Sequence, residues 1–360
     1  MHKILVTSLL LSCFASIPAG ADDVHYGPDD FYHVDKIDSH MHLHGVQPAF
    51  MREAQRDHFR VLSINVDYAD FPPLGVQQKV ARHMHRKYPA TYGWVMTFSV
   101  KNFDQPGWAA DVIRQIDAGV KHGAVGVKVW KNIGMSLRDA QGKMIMIDDP
   151  HFTPIFDHLE KIQLPLLGHQ GEPKNCWLPM NEMIVKGDRE YFAAHPQYYM
   201  YLHPELPSYD DQMRARDAMV ERHPDLIFVG MHMASLEWSV DELAKFLDRF
   251  PRASVDLAAR IGQLQYQLLH NREKVEQFLI NYQDRLTYGT DLDQEINDPT
   301  FAEQARRVWL RDWQFFTSGD TLTVPDLDQP VQSLALPKSV VDKIYSKNAE
   351  RLYPHAWLQK

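Results

Sequence analysis

A chain of 360 residues, 44% hydrophobic and 24% charged, can bury a large core, and it lacks the biased stretches that exclude a packed fold. Its net charge of -9 comes without a Lys/Arg cluster, so the basic footprint of a nucleic-acid binder is missing and an acidic, solvated surface is expected. The 2 cysteines, Cys13 and Cys176, allow at most one internal disulfide, and none once an N-terminal leader is removed.

Such a leader is read at residues 1–21. Lys3 supplies a positive start, residues 4–18 are apolar or small, and Ala19-Gly20-Ala21 forms a small-x-small cleavage site before Asp22-Asp23. The apolar run is short for a membrane span. The expectation is an exported, periplasmic protein with one domain over 22–360. A buried amphipathic helix and lipidation at Cys13 are the alternatives, and Leu11 fits a lipidation box poorly.

No sequence repeat occurs. What recurs is a short apolar run followed by a helical pattern. Strands are predicted at 34–40, 61–66, 92–98, 124–129, 164–168, 226–231, 253–257 and 285–289. Helices are predicted between them, for example at 108–121, 212–223, 240–250 and 301–316. This alternation predicts parallel strands with helices outside. Eight units point to a (β/α)8 TIM barrel of the α/β class, although a doubly wound sheet has the same local pattern. Two long connections, 171–207 and 317–337, break the rhythm. The first is rich in Pro, Tyr, Trp and Met and follows the fifth strand, which predicts an ordered cover at the C-terminal face.

The strongest chemical signal is Asp38-Ser39-His40-Met41-His42. Alternate residues of a strand share a face, so both imidazoles point into the barrel mouth and can share a divalent cation. Taken alone, His-x-His is weak evidence in a chain with 19 histidines. Other strand ends add Lys128, His169, His232 and Asp291, on the rim where barrel enzymes carry their catalytic groups. Asp38, placed in phase with His40, is expected to orient an imidazole. Cys176 is expected to be a buried apolar filler, and His83, His85 and His122 to be surface groups.

These pieces, with Gly168-His169, Gly289-Thr290-Asp291 and the tail Ile344-Tyr345-Ser346-Lys347-Asn348-Ala349-Glu350-Arg351-Leu352, resemble the amidohydrolase superfamily, in its amidohydrolase-related branch. The resemblance runs from about residue 35 to 353. It implies that His40, His42, His169 and Asp291 bind metal, with His232 near the substrate or as a further ligand. It also implies a carboxylated lysine bridging two metals, a role for which Lys128 lies in phase, while Lys131 is out of phase by one residue.

The expected cofactor is a divalent cation, zinc by preference: one ion, or two if Lys128 is carboxylated. Asp291 would take the proton of an activated water, and His232 would help polarise an amide, lactone or ester carbonyl. The expected partner is a small molecule, with no nucleic acid and no membrane span; a homo-oligomer is left open. Arg260 and Lys131 would bind a substrate carboxylate, and Trp130, Trp177 and the run Tyr198-Tyr199-Met200-Tyr201 would form an apolar or sugar-stacking wall. The competing readings are a non-oxidative decarboxylase with nearly the same ligands and a non-enzymatic binding protein.

Overall fold

The structure, a computed structural model, describes residues 25–296 and 298–358. The leader read at 1–21, with Cys13, lies outside them.

Strands β1 (Lys36–Leu43), β2 (Phe59–Ile64), β3 (Tyr92–Thr97), β4 (Ala124–Val129), β5 (Leu166–Gly168), β6 (Phe228–Gly230), β7 (Ser254–Asp256), β8 (Leu286–Thr287) and β9 (Leu292–Gln294) form one parallel sheet. The last two are halves of one run: β8 pairs with β7, and β9 pairs with β1. Between the halves, Ser39 N donates to Tyr288 O at 3.0 Å and Asp291 N to His40 O at 2.8 Å. The sheet thus returns to its first strand as a (β/α)8 barrel.

Helices follow the strands in turn. Trp108–Lys121 matches its predicted span, and Tyr209–Arg222, Val240–Arg249 and Phe301–Thr317 lie within a few residues of theirs. Val240–Arg249 buries Val240, Leu243, Phe246 and Leu247, one stripe of a 3.6-residue period. Tyr209–Arg222 starts at a capping box, in which Ser208 and Asp211 satisfy each other's backbone N–H groups. Strands β5 to β7 are shorter than predicted: β5 and β6 start two residues later, and β6 and β7 end one residue earlier.

Two cores flank the sheet. The outer one packs helices against strand residues such as Met41, Trp94 and Val127. The inner one fills the barrel with Ile37, Leu62, Ile64, Val95, Leu167 and Val229, and is closed by Leu352, Tyr353, Ala356 and Trp357 of the C-terminal segment. Trp357 Nε1 donates to Val61 O at 3.2 Å, near the N-terminal ends of the strands. The barrel bottom is therefore plugged, and the C-terminal rim carries the polar groups.

Segment 171–207 lies across that rim. It consists of short 3-10 turns and the helix Lys186–Ala194, around its own cluster of Cys176, Met183, Phe192, Tyr199 and Met200. It bonds to loops after several strands: Tyr198 to Tyr68, Asp188 to Gln263 and Lys174 N to Glu237. Burial pushes the Cys176 thiol up, so it is a packed thiol rather than a thiolate. Part of 317–337 forms a small antiparallel pair, Thr321–Leu322 with Val331–Gln332. Among the described residues no helix is long and apolar enough to cross a membrane.

Candidate metal and catalytic centre

The site begins with a bulge in β1. Its register with β2 shifts between Asp38 and Met41. Ile37 faces the inner core, whereas Met41 and Leu43 face the outer one, so His40 and His42 point inward. The same shift corrects the expectation for Asp38. It points outward, accepting from Trp309 Nε1 at 2.9 Å and from Thr290 Oγ1 at 2.7 Å, and touches no imidazole. Burial raises its carboxyl to about 6, against these hydrogen bonds. Gly289 lets the eighth strand approach: a Cβ there would lie 2.8 Å from His40 Cβ.

Three histidines are oriented alike. His40 Nδ1 lies 2.8 Å from Asp256 Oδ2, His42 Nδ1 2.8 Å from Ile64 O, and His232 Nδ1 3.0 Å from Ala258 O. Each Nδ1 is taken up by an oxygen, and each Nε2 is turned to the barrel axis. Asp291 sits among them. Its Oδ1 is 3.1 Å from His40 Nε2 and 3.2 Å from His42 Nε2, and its Oδ2 is 3.9 Å from His232 Nε2. Ligand atoms of His40, His232 and Asp291 all lie within 4.8 Å of one another. The His169 ring packs edge-on against His232 with centroids 4.3 Å apart, and its buried Nε2 has no hydrogen-bond partner. Three inward Nε2 atoms, an unsatisfied imidazole nitrogen and a carboxylate form a donor set that suits a divalent cation.

Charge follows the same geometry. Burial pushes the His232 imidazolium down to about 3, so the ring is neutral at pH 7 and its Nε2 accepts rather than donates. Burial would raise Asp291, but the imidazoles packed around it, with His40 and His42 in hydrogen-bond reach, outweigh it and hold the carboxyl well below its usual range. Lys128 lies wholly inside, with Nζ 3.4 Å from His40 Nε2, and burial lowers it to about 8.

His232 is held in an uncommon backbone state. Residues 232–235 all have φ between 55° and 58°, a left-handed run without glycine. Each such residue costs about 1–2 kcal/mol. Asp256 Oδ1, 2.6 Å from His232 N, and Ser235 Oγ, which donates to Gln170 O at 2.9 Å, hold the run in place. Strain supported in this way is characteristic of functional sites.

A model of the family described as Amidohydrolase matches residues 37–355. The chain belongs to the amidohydrolase family. An amidohydrolase II crystal structure resembles it in fold, with a TM-score of 0.51 and 15% identity over 89% of this chain and 100% of that one. Less similar are a 2,6-dihydroxybenzoate decarboxylase from Rhizobium (TM-score 0.49, 15% identity, 89% and 98% covered) and the 4-oxalomesaconate hydratase of Rhodopseudomonas palustris (0.44, 12%, 89% and 96%). No curated protein matches.

In this member of the family the remaining residues singled out from sequence lie around the centre. Lys131, brought in by a turn after β4, pairs with Glu172, which holds its ammonium charged against burial. Glu172 Oε2 lies 3.9 Å from His169 Nε2. Arg260 lies within the fields of Asp188, Glu237, Glu172 and Asp291, which outweigh burial and raise it. Trp177 packs edge-on against Tyr209 and donates to Pro207 O at 3.3 Å, within the cover. Of the presumed surface histidines, His83 and His122 are exposed, but His85 is half-buried, 3.0 Å from Tyr92 O. Sequence reasoning missed Asp256 and Glu172. Asp256 did carry a signal, as a carboxylate one residue before the end of a predicted strand; Glu172 carried none.

Proposed function

We propose that this amidohydrolase-family chain hydrolyses an amide, lactone or ester, with Asp291 handling the proton. The observation behind this is the placement of Asp291: a carboxylate ionised at neutral pH, shared by two imidazole nitrogens and facing a third. His40, His42, His169 and Asp291, with His232 beside them, would hold one divalent cation, zinc by preference. When bound, it supplies Lewis-acid activation of a water and a carbonyl. Lys128 would take part in holding a second ion if carboxylated, and its lowered pKa raises the share of the neutral amine that this modification needs.

The chain's own groups do the rest. Asp291 accepts a proton from the attacking water and returns it to the leaving group. His232, its tautomer fixed by Ala258 O, offers a lone pair beside Asp291 and helps to aim the water. The 171–207 segment excludes bulk water from the rim.

Elemental analysis of the purified protein, then a panel of lactones, esters, amides and acid-bearing aromatics, tests the reading. Expected are stoichiometric metal and hydrolysis products without carbon dioxide. Carbon dioxide release from the aromatic acids, with no hydrolysis elsewhere, would establish the decarboxylase instead. Asp291→Asn should fold and lose about 10²–10⁴-fold in turnover, because an amide cannot take the water's proton. Near-normal turnover by a metal-loaded Asp291→Asn would refute the proton role.

A further inference from the structure

We infer that the substrate carries an aryl or similarly flat apolar group with a neutral oxygen acceptor, seated in a cavity between the ends of β2 and β4 and the 171–207 segment. This rests on the hydrolytic reading above and names its substrate class. The cavity measures about 380 Å³, within the roughly 300–1,000 Å³ usual for ligand pockets. Its walls include Tyr68, Trp130, Lys131, Met135, Tyr198 and Met200. Neither this cavity nor a larger cleft of about 660 Å³, bordered by Arg138, Lys143 and Arg214, has a site histidine in its lining; what distinguishes the smaller one is contact with side chains that touch those histidines.

Two contact paths join the smaller cavity to the catalytic centre. On one side, Phe71 packs against His42 with ring centroids 5.2 Å apart and against Tyr68 at 5.3 Å, and Tyr68 meets Trp130 at 4.6 Å. On the other, Lys131 pairs with Glu172, which approaches His169 to 3.9 Å. On this inference a substrate reacting at Asp291 extends past Phe71 and Glu172 into the cavity.

The lining specifies the group. Trp130, Tyr68 and Tyr198 offer ring faces and edges for stacking, and the two methionines adapt their thioethers to a flat partner. The Tyr68 and Tyr198 hydroxyls, 3.0 Å apart, tie the two sides of the cavity together. Lys131 Nζ lies over the Trp130 and Tyr198 rings at 5.3 and 5.2 Å. Glu172 cancels its charge, so an anion gains little there. The ammonium has three donors, and those not used by Glu172 suit a neutral acceptor. This narrows the substrate carboxylate expected at Lys131 to an uncharged oxygen.

The test compares matched pairs: methyl phenylacetate with methyl hexanoate, phenylacetamide with hexanamide, and benzyl acetate with hexyl acetate. Aryl members should exceed their alkyl partners by about tenfold or more in kcat/KM, the scale of one or two ring contacts. Trp130→Ala and Tyr198→Ala should bring that ratio toward one, mainly through KM, while Tyr198→Phe keeps it. Saturation-transfer NMR with benzamide should show ring-proton contact in the wild-type enzyme and in Asp291→Asn, and lose it in the Trp130→Ala/Tyr198→Ala double variant. Turnover without aryl preference, or no benzamide contact in the wild type, overturns the inference. Benzamide contact without turnover of any ester, lactone or amide supports the cavity and overturns the hydrolytic reading.

Discussion

Asp256 has the widest reach of any residue at the centre. One carboxylate oxygen fixes His40 Nδ1 at 2.8 Å, and the other holds His232 N at 2.6 Å, so two strand ends share one anchor. Burial would raise its carboxyl, but His40 overrides that and keeps it ionised. Asp256→Asn puts an amide N–H against one of these donors. Groups that orient metal-bound imidazoles are typically worth about 10–100-fold in metal affinity. We expect a loss of that size, read by competition with a chromophoric chelator, in a protein that still folds. Unchanged affinity would mean that Asp256 does not orient the ligands.

At the scale of elements, close approach of strands and docking of the cover matter most. Gly289→Ala would place a Cβ 2.8 Å from His40 Cβ and 3.2 Å from His40 N, pushing the eighth strand off the bulge of β1. Overpacking of this kind costs about 1–3 kcal/mol. We expect a lower melting temperature together with less bound metal; metal retained at the wild-type level would show that the bulge tolerates the shift. The cover is tied by Glu237, which accepts from Lys174 N at 2.8 Å. Burial pushes the Glu237 carboxyl up to about 7, against Arg260, whereas an unfolded glutamate titrates near 4.3. The folded chain therefore binds the extra proton between these values. Its contribution is full below about 4.3 and is lost as pH rises through about 7. Glu237→Gln stays neutral, so the variant should gain on the wild type by up to roughly 3 kcal/mol from pH 4 to 8. A pH-independent difference in denaturant midpoint would refute this.

For the whole molecule, the two ends of the barrel divide the labour. The C-terminal rim carries the strained and charged groups, and the inner core with its C-terminal plug holds the bottom. Trp357 is buried against that core and tied to Val61 O, far along the strands from the histidines. Trp357→Ala should cost about 3–5 kcal/mol, the range for a buried tryptophan. Metal per folded chain should stay at the wild-type level in elemental analysis. A variant that loses metal but not stability would place the plug's role elsewhere.

The sequence alone determined the alternation of strands and helices, because apolar periodicity is a local property; closure into a barrel rather than a doubly wound sheet was decided by the pairing of β9 with β1. The sequence also determined which rim residues could act, since a strand's C-terminal end is readable wherever an apolar run stops at His169, His232 or Asp291. Only the tertiary structure decided the rest. The bulge in β1 turned Asp38 outward, because register depends on the partner strand and not on the strand's own pattern. The partner of His40 proved to be Asp256, 216 residues away, and the turn after β4 brought Lys131 to Glu172, 41 residues on. Pairs at such separations leave no trace in local composition; they exist because closing the barrel brings every strand end to one rim.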